Sequence, residues 1–209
     1  MIAVPPEPQS TPSDKPTGGL YLLLLFLWLG AALAVGAVGF VEKLRPPLPQ
    51  FVLFALVVAL LLAFWRGAMF RAWILALPPR ALVLLHTTRF VGFYFLSLHS
   101  RGELPYAFAV PGGWGDIAIA TLAMIVSVVS AETKTGRRAY LAWNIVGLLD
   151  ILFVVATAAR LAFANPDSMI ALLRLPLSLL PTFLVPLILA THIMLFVRLS
   201  ATQNERTKP

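Results

Sequence analysis

"LYLLLLFLWLGAALAVGAVGFV", residues 20–41, runs for 22 residues without a charged side chain. A helix needs about 20 apolar residues to cross the hydrocarbon core of a bilayer. A cleaved signal peptide is the alternative, because small residues (Ala32, Ala34 and Gly36) follow the leucine-rich part. However, the apolar part of a signal peptide is normally shorter and follows a basic segment, whereas the preceding tail here is rich in Pro, Ser and Thr. The stretch therefore predicts a first membrane span.

The composition of the whole chain favours the same environment. Of its 209 residues, 59% are hydrophobic and 12% are charged, and the mean hydropathy is +0.87. Soluble domains average about 25% charged residues, so this chain lacks the polar side chains needed to cover a soluble core. There is no cysteine, which excludes disulfide frameworks, thiolate metal sites and thiol nucleophiles. The sequence predicts an integral membrane protein.

Five further apolar runs follow the first. They lie at about 49–65, 81–98, 117–131, 139–159 and 180–197. The segment "RGAMFRAWILALPPR" (66–80) is too short and too charged to span, and it predicts a short interfacial helix. "FANPDSMIALLRLPLSLLP" (163–181) is either a second interfacial helix or the early part of a long last span. We therefore predict an all-α bundle of six transmembrane helices with one or two short interfacial helices.

The domain prediction is a six-span region, 20–199, between a flexible tail, 1–19, and a polar tail, 200–209. Ten of the 16 Lys and Arg residues fall on the side of the two termini, five fall on the other side, and Arg89 lies inside a span. Basic residues concentrate in cytoplasmic loops, so we expect a bacterial inner membrane protein with both termini in the cytoplasm. The same rule explains the net charge of +7 without nucleic acid, for which no basic run with interleaved aromatics exists.

Polar side chains within the spans fall at similar depths. His86, Asn144 and His192 each lie six residues from a basic residue at a span end, or about 9 Å deep at 1.5 Å per helical residue. Arg89 lies one turn deeper, and Asp150 lies about 18 Å from its span end. Because charges inside a bilayer need partners, we expect Arg89 to pair with Asp150.

This predicted polar layer has several interpretations. It could hold three helices together, or it could line a cavity open to the cytoplasm that binds a small-molecule substrate or relays protons. It could also carry a b-type haem with His86 and His192 as axial ligands and Arg89 facing a propionate. A metal site completed by Asp150 is disfavoured because that residue lies too deep. No nucleophile–base pair is identifiable, so an enzyme is disfavoured.

We favour a small permease-like or solute-binding membrane protein. The alternatives are a haem-binding electron carrier and a non-catalytic accessory subunit of a membrane complex.

The segment "HSRGELPYAFAVPGGWGD" (99–116) is expected to be a loop on the far, periplasmic side. Its closely spaced glycines favour a tight backbone path, and Asp116 stands where the N-cap of the fourth span is expected. Trp114 would anchor at the interface. Alternatively, Glu103, Trp114 and Asp116 form a periplasmic loop or gate that attracts a cation.

Proline inside the last predicted span has a local consequence. Pro186 lacks a backbone N–H, which frees the carbonyl of Thr182 four residues earlier. In a membrane this carbonyl must find another partner or line a cavity.

Overall fold

A computed structural model describes residues 18–206, and describes side chains for 18–200. The described part is helical, and none of its residues lies in a β-strand. The α-helices are α1 (Gly18–Ala37), α2 (Leu48–Arg66), α3 (Ala68–Ala76), α4 (Pro79–Leu84), α5 (Gly92–Ser100), α6 (Tyr106–Ser127), α7 (Lys134–Ala164) and α8 (Val185–Arg206). Short 3₁₀ segments lie at Val41–Lys43, Leu85–Val91 and Pro166–Leu173, and a π-helical turn at Leu180–Leu184 precedes α8.

Six helical stretches of the described chain are long and apolar enough to cross a membrane. The prediction of an all-α fold with six such helices is therefore confirmed. The third stretch, Pro79–Ser100, combines α4, the 3₁₀ segment and α5, and the sixth, Leu180–Ser200, includes the π-helical turn. Large apolar side chains remain exposed on the outside of the bundle, as on Phe26, Phe51 and Leu149. An apolar exterior of this extent indicates a multi-pass membrane protein.

Several predicted boundaries change. The predicted fourth span began at 117, but α6 begins at Tyr106, so most of the predicted loop is helical. The segment 163–181 is not the start of the last span, because its 3₁₀ helix is separated from the π-helical turn by a non-helical stretch. The short helix predicted within 66–80 is α3. Helix α1 begins at Gly18 and α8 continues to Arg206, and the rest of both predicted tails lies outside the described residues.

Glycines bring the third and fourth spanning stretches into backbone contact. A Cβ on Gly92 would collide with the carbonyl oxygen of Gly113, and a Cβ on Gly113 would lie 2.9 Å from the carbonyl oxygen of Gly92. Small residues allow such close approach between membrane helices. Gly113 therefore lies within α6 and permits its packing against the third stretch, although glycine often ends helices. The contact holds the 3₁₀ segment Leu85–Val91 against α6 and directs Arg89 into the interior.

The segments that connect the helices form contacts at both ends of the bundle. We call the end where α1 starts the terminal end and the other the opposite end. At the opposite end, Glu42 bonds Arg174 at 2.7 Å and Arg45 bonds Asp167 at 3.0 Å. The Glu42 carboxylate raises the pKa of Arg174. At the terminal end, where α1 starts, the ring of Tyr21 packs on Phe70 and Trp73 of α3. Arg198 of α8 donates to the carbonyl oxygens of Ile74 and Leu75 at this end.

The last spanning stretch is central, whereas α1 and α2 are peripheral. Within their most apolar windows, 61% of residues are buried in the last stretch and 11% in each of the first two. The carbonyl of Thr182, freed by Pro186, accepts a hydrogen bond from Trp28 Nε1 at 3.0 Å. The expectation that this carbonyl finds a partner is confirmed, and the bond attaches α1 to the π-helical turn.

Candidate functional site

Arg89 lies at the centre of a buried ionic cluster. Its side chain is only 1% exposed, and its Nε donates to Asp116 Oδ1 at 2.7 Å. One terminal nitrogen donates to the carbonyl of Gly147 at 3.0 Å, and the other to the carboxylate of Asp150. The ion pair expected between Arg89 and Asp150 is thus present, and Asp116 adds a second carboxylate. We call Arg89, Asp116 and Asp150 the carboxylate cluster.

The planar guanidinium explains how one residue serves three partners. Its N–H groups point outward in a fixed fork, so the two carboxylates and the carbonyl can approach from separate directions. Asp116 is the more buried acid, with 4% of its side chain exposed compared with 18% for Asp150. Gly115 makes room for Asp150, because a Cβ on Gly115 would collide with Asp150 Oδ1. With both acids ionised, the cluster carries one more negative than positive charge.

A second buried group joins α7 to α8. Asn144 Nδ2 donates to the carbonyl of His192 at 3.0 Å, which leaves Asn144 Oδ1 as the acceptor for His192 Nδ1 at 2.7 Å. His192 Nδ1 therefore carries a hydrogen, and Nε2 is the acceptor nitrogen of the neutral ring. That Nε2 atom is buried and has no hydrogen-bond partner among the described residues.

His86 lies beside His192. Thr191 Oγ1 is 3.2 Å from His86 Nε2 and donates its own hydrogen to a backbone carbonyl, that of Leu187 at 2.8 Å or Ile188 at 3.0 Å. A hydroxyl has one hydrogen, so His86 Nε2 is the donor to Thr191. His86 Nδ1 is then an acceptor, and within the described chain it is buried without a partner.

The arrangement of the two histidines does not fit a haem. Their ring centroids are 4.3 Å apart, and the ring of Trp143 packs on both at 4.9 and 5.6 Å. A bis-histidine haem requires the macrocycle between the two rings, but here the rings are in direct contact. Gly147 closes the other side, since a Cβ there would lie 2.8 Å from His192 Cε1. His86 and His192 therefore do not form a bis-histidine haem site.

Metal binding finds no support either. No group of three or more His, Asp or Glu side chains within the described residues is arranged to hold a metal ion.

Gly147 connects the carboxylate cluster to the histidines. Its carbonyl accepts from Arg89, and the His192 ring lies against its α-carbon. The structure thus brings all five residues of the predicted layer into one buried region formed by the 3₁₀ segment, α7 and α8. These residues are His86, Arg89, Asn144, Asp150 and His192.

An apolar cavity of about 110 Å³ adjoins this region. The buried side chains of Arg89 and Asp116 line its inner end, and the exposed residues Arg45 and Pro166 line its mouth; Thr88, which is exposed, also belongs to the lining. Between them the walls are aliphatic and aromatic, including Phe95, Phe108, Ile151 and Val154. Arg45 belongs to the opposite end, so this cavity extends from the buried cluster toward that end, whereas a separate pocket at the terminal end is lined by Arg80, Tyr140 and Arg198.

Residues 46–200 match a family described as a domain of unknown function (DUF8737). The chain belongs to the DUF8737 family. The matched region of this DUF8737 protein contains the carboxylate cluster, the histidines and most of the cavity lining, but not α1. No curated protein and no solved structure matches the chain.

The three residues of the predicted gate are not brought together in this DUF8737 protein. Glu103 lies in the turn between α5 and α6, Trp114 projects outward from α6 with 58% of its surface exposed, and Asp116 is buried against Arg89. The closely spaced glycines favoured a loop for the latter two residues, but α6 runs through both of them. The N-cap role expected for Asp116 is therefore wrong, and its role as an Arg89 partner was missed.

The ion pairs beside the cavity mouth were not predicted from the sequence. The two ion pairs there, Glu42 with Arg174 and Arg45 with Asp167, join segments more than a hundred residues apart. Each residue looks like an ordinary loop charge in the sequence, and only an opposite charge on another loop of the same end could have signalled the pairing.

Proposed function

We propose that this DUF8737 protein crosses the bacterial inner membrane six times with both termini in the cytoplasm, and acts as a small solute-binding, permease-like protein. Six apolar helices support the membrane location, and the ten-to-five distribution of basic residues supports the orientation. The short helix α3 and the 3₁₀ helix Pro166–Leu173 would lie at the two membrane interfaces. In this orientation the cavity mouth faces the periplasm.

The observation that carries the proposal is the cavity that ends on buried Arg89 and Asp116. Sites for small molecules are mostly apolar and contain a few polar groups that fix the ligand's orientation. Ionisable residues within membrane spans are costly and are usually functional. Here the two features coincide, because the most buried carboxylate of the cluster contacts the cavity.

A purely structural role accounts for less of the geometry. One carboxylate would neutralise Arg89 and join α7 to the 3₁₀ segment, and Asp150 already does so. A second carboxylate adds repulsion and desolvation, which a helix-joining role does not require. Residues that serve packing alone would also be expected to fill the space beside them, because protein interiors are close-packed.

The test is ligand-induced stabilisation of the purified protein in detergent. Neopentylbenzene is the neutral probe, and part of it must extend through the open end, because the enclosed volume of about 110 Å³ is smaller than the 150 Å³ cavity known to hold benzene. At ten times its Kd, a ligand that binds only the folded state adds about 1.4 kcal/mol, or about 3–6 °C in unfolding temperature for a chain of this size. We expect this rise in the wild-type protein.

Two variants on α7 assign the effect to the cavity. Ala158 lines the cavity, so Ala158→Phe should abolish the ligand-induced rise. Ala156 is exposed on the same helix, so Ala156→Phe should retain it. Equal stabilisation of both variants would show that the probe binds elsewhere, and no stabilisation of the wild-type protein would refute the solute-binding proposal.

A further inference from the structure

We propose that the cavity binds a small lipophilic monocation in competition with a proton. This inference rests on the proposed function and adds the class of ligand to it. It is carried by the charges at the inner end of the cavity and by the chemistry of its walls.

The carboxylate cluster has an unbalanced charge. Asp116 and Asp150 both contact Arg89, and one guanidinium neutralises only one of them. The imbalance lies beside the cavity because Asp116 lines it, whereas Asp150 lies against Gly115 on the other side of the cluster. A buried charge in a membrane needs a partner, and a cation in the cavity would supply it.

The surrounding charged and titratable groups do not remove this imbalance. Arg45 is the other cation lining the cavity, and it lies at the mouth in an ion pair with Asp167. His86 and His192 do not line the cavity, and the second ring nitrogen of each is buried without a partner among the described residues, so an added proton on either ring would have no acceptor. Gln50 and Thr88 complete the polar lining and carry no charge.

The walls suit an apolar ligand with a weakly hydrated charge. Phe95 and Phe108 pack together with their ring centroids 5.1 Å apart, and both line the cavity. Aromatic faces attract quaternary ammonium groups, which lose little hydration on burial. The cavity is smaller than the 150 Å³ site that holds benzene, but it is not closed, so the charged group can lie at Asp116 while the apolar part of the ligand extends through the open end.

Competition with a proton follows from the same imbalance. The excess negative charge is cancelled either by one proton on the carboxylate cluster or by one monovalent cation beside Asp116. When a cation enters, the proton leaves to water, and when the cluster is protonated the cation loses its electrostatic partner. Cation affinity should therefore fall as the pH is lowered.

Three matched probes separate charge from shape. Benzyltrimethylammonium and neopentylbenzene have the same shape and differ in a nitrogen cation replacing a carbon, while benzenesulfonate carries the opposite charge. Binding of each to the purified protein is measured between pH 5 and 8. We expect benzyltrimethylammonium to bind, with an affinity that rises with pH, neopentylbenzene to bind independently of pH, and benzenesulfonate to bind least.

Asp116→Asn is the decisive variant, because the amide can still accept from Arg89 Nε and so preserves the fold. It should weaken benzyltrimethylammonium at least tenfold, abolish the pH dependence and leave neopentylbenzene unchanged. Glu103→Gln makes the same change in net charge at an exposed turn outside the cavity lining, and it should alter none of the affinities.

The outcomes distinguish the inference from the proposed function. If neopentylbenzene binds in the cavity but Asp116→Asn leaves cation affinity unchanged, the cation inference is overturned and the solute-binding function stands. Tighter binding of benzenesulfonate would also overturn the inference. If none of the three probes binds, both proposals are overturned.

Discussion

Replacement of Arg89 by methionine provides the sharpest test of the carboxylate cluster. Methionine keeps an unbranched side chain but removes the charge and all the donors, so Asp116, Asp150 and the Gly147 carbonyl each lose a partner. Breaking a buried ion pair by removing one member costs about 3–5 kcal/mol, because the remaining charge is left uncompensated in a low-dielectric interior.

The burial of the two acids indicates how much each contributes to this loss of stability. Asp116 is almost completely buried and should contribute nearly the full penalty, whereas Asp150 retains 18% side-chain exposure and should contribute less. We therefore expect Arg89→Met to lower the free energy of unfolding by at least about 3 kcal/mol. Titration with a denaturing detergent, followed by far-UV circular dichroism, measures this difference in the purified protein.

A triple variant distinguishes charge from lost packing. When Asp116→Asn and Asp150→Asn are added to Arg89→Met, no uncompensated charge remains, and the triple variant should be more stable than the single one. Such recovery is the non-additivity expected of residues within one ionic network. The description of the cluster as desolvated is refuted if Arg89→Met costs less than about 1 kcal/mol, the usual ceiling for exposed ion pairs, or if the triple variant shows no recovery.

Three further substitutions test the contacts around the cluster by thermal or detergent-induced unfolding. Gly147→Ala should destabilise by about 1–3 kcal/mol because its Cβ overlaps a histidine ring, while Gly30→Ala, which enters open space, should be neutral or stabilising; equal effects would contradict the packing. Trp28→Phe should cost about 1–3 kcal/mol by leaving the carbonyl freed by proline unsatisfied, whereas Trp114→Phe, at an exposed position, should stay within about 0.5 kcal/mol. Asn144→Leu removes both hydrogen bonds to the neighbouring helix and should cost more than about 2 kcal/mol; a smaller loss would show that these bonds are not buried.

The spans were predictable because hydropathy depends only on local sequence. The error at 106–116 arose because Pro111, Gly112 and Gly113 are helix-ending signals in water. Inside a packed membrane protein the same glycines permit the backbone contact with Gly92, and the interhelical packing outweighs their low helix propensity. No pattern within residues 106–116 alone distinguishes these two outcomes.

The depth of the polar residues within the spans was predictable, but the direction in which each side chain points was not. A fixed rise per helical residue placed His86, Asn144 and His192 at one level, and the structure brings them together. Hydropathy does not show which way each helix face points. Asp116 was therefore assigned to a loop although it lies on α6 within reach of Arg89.

The position of the second carboxylate separates a packing role from a binding role more strongly than its presence does. If the excess charge served only to join helices, it would not need to contact the cavity. Asp150, with 18% of its side chain exposed, does not line the cavity, whereas Asp116, with 4% exposed, does. A cation that enters the cavity can compensate a buried negative charge that contacts it. The energetic cost of Asp116 in the empty state thus becomes a source of selectivity for a positively charged ligand, which packing alone would not provide.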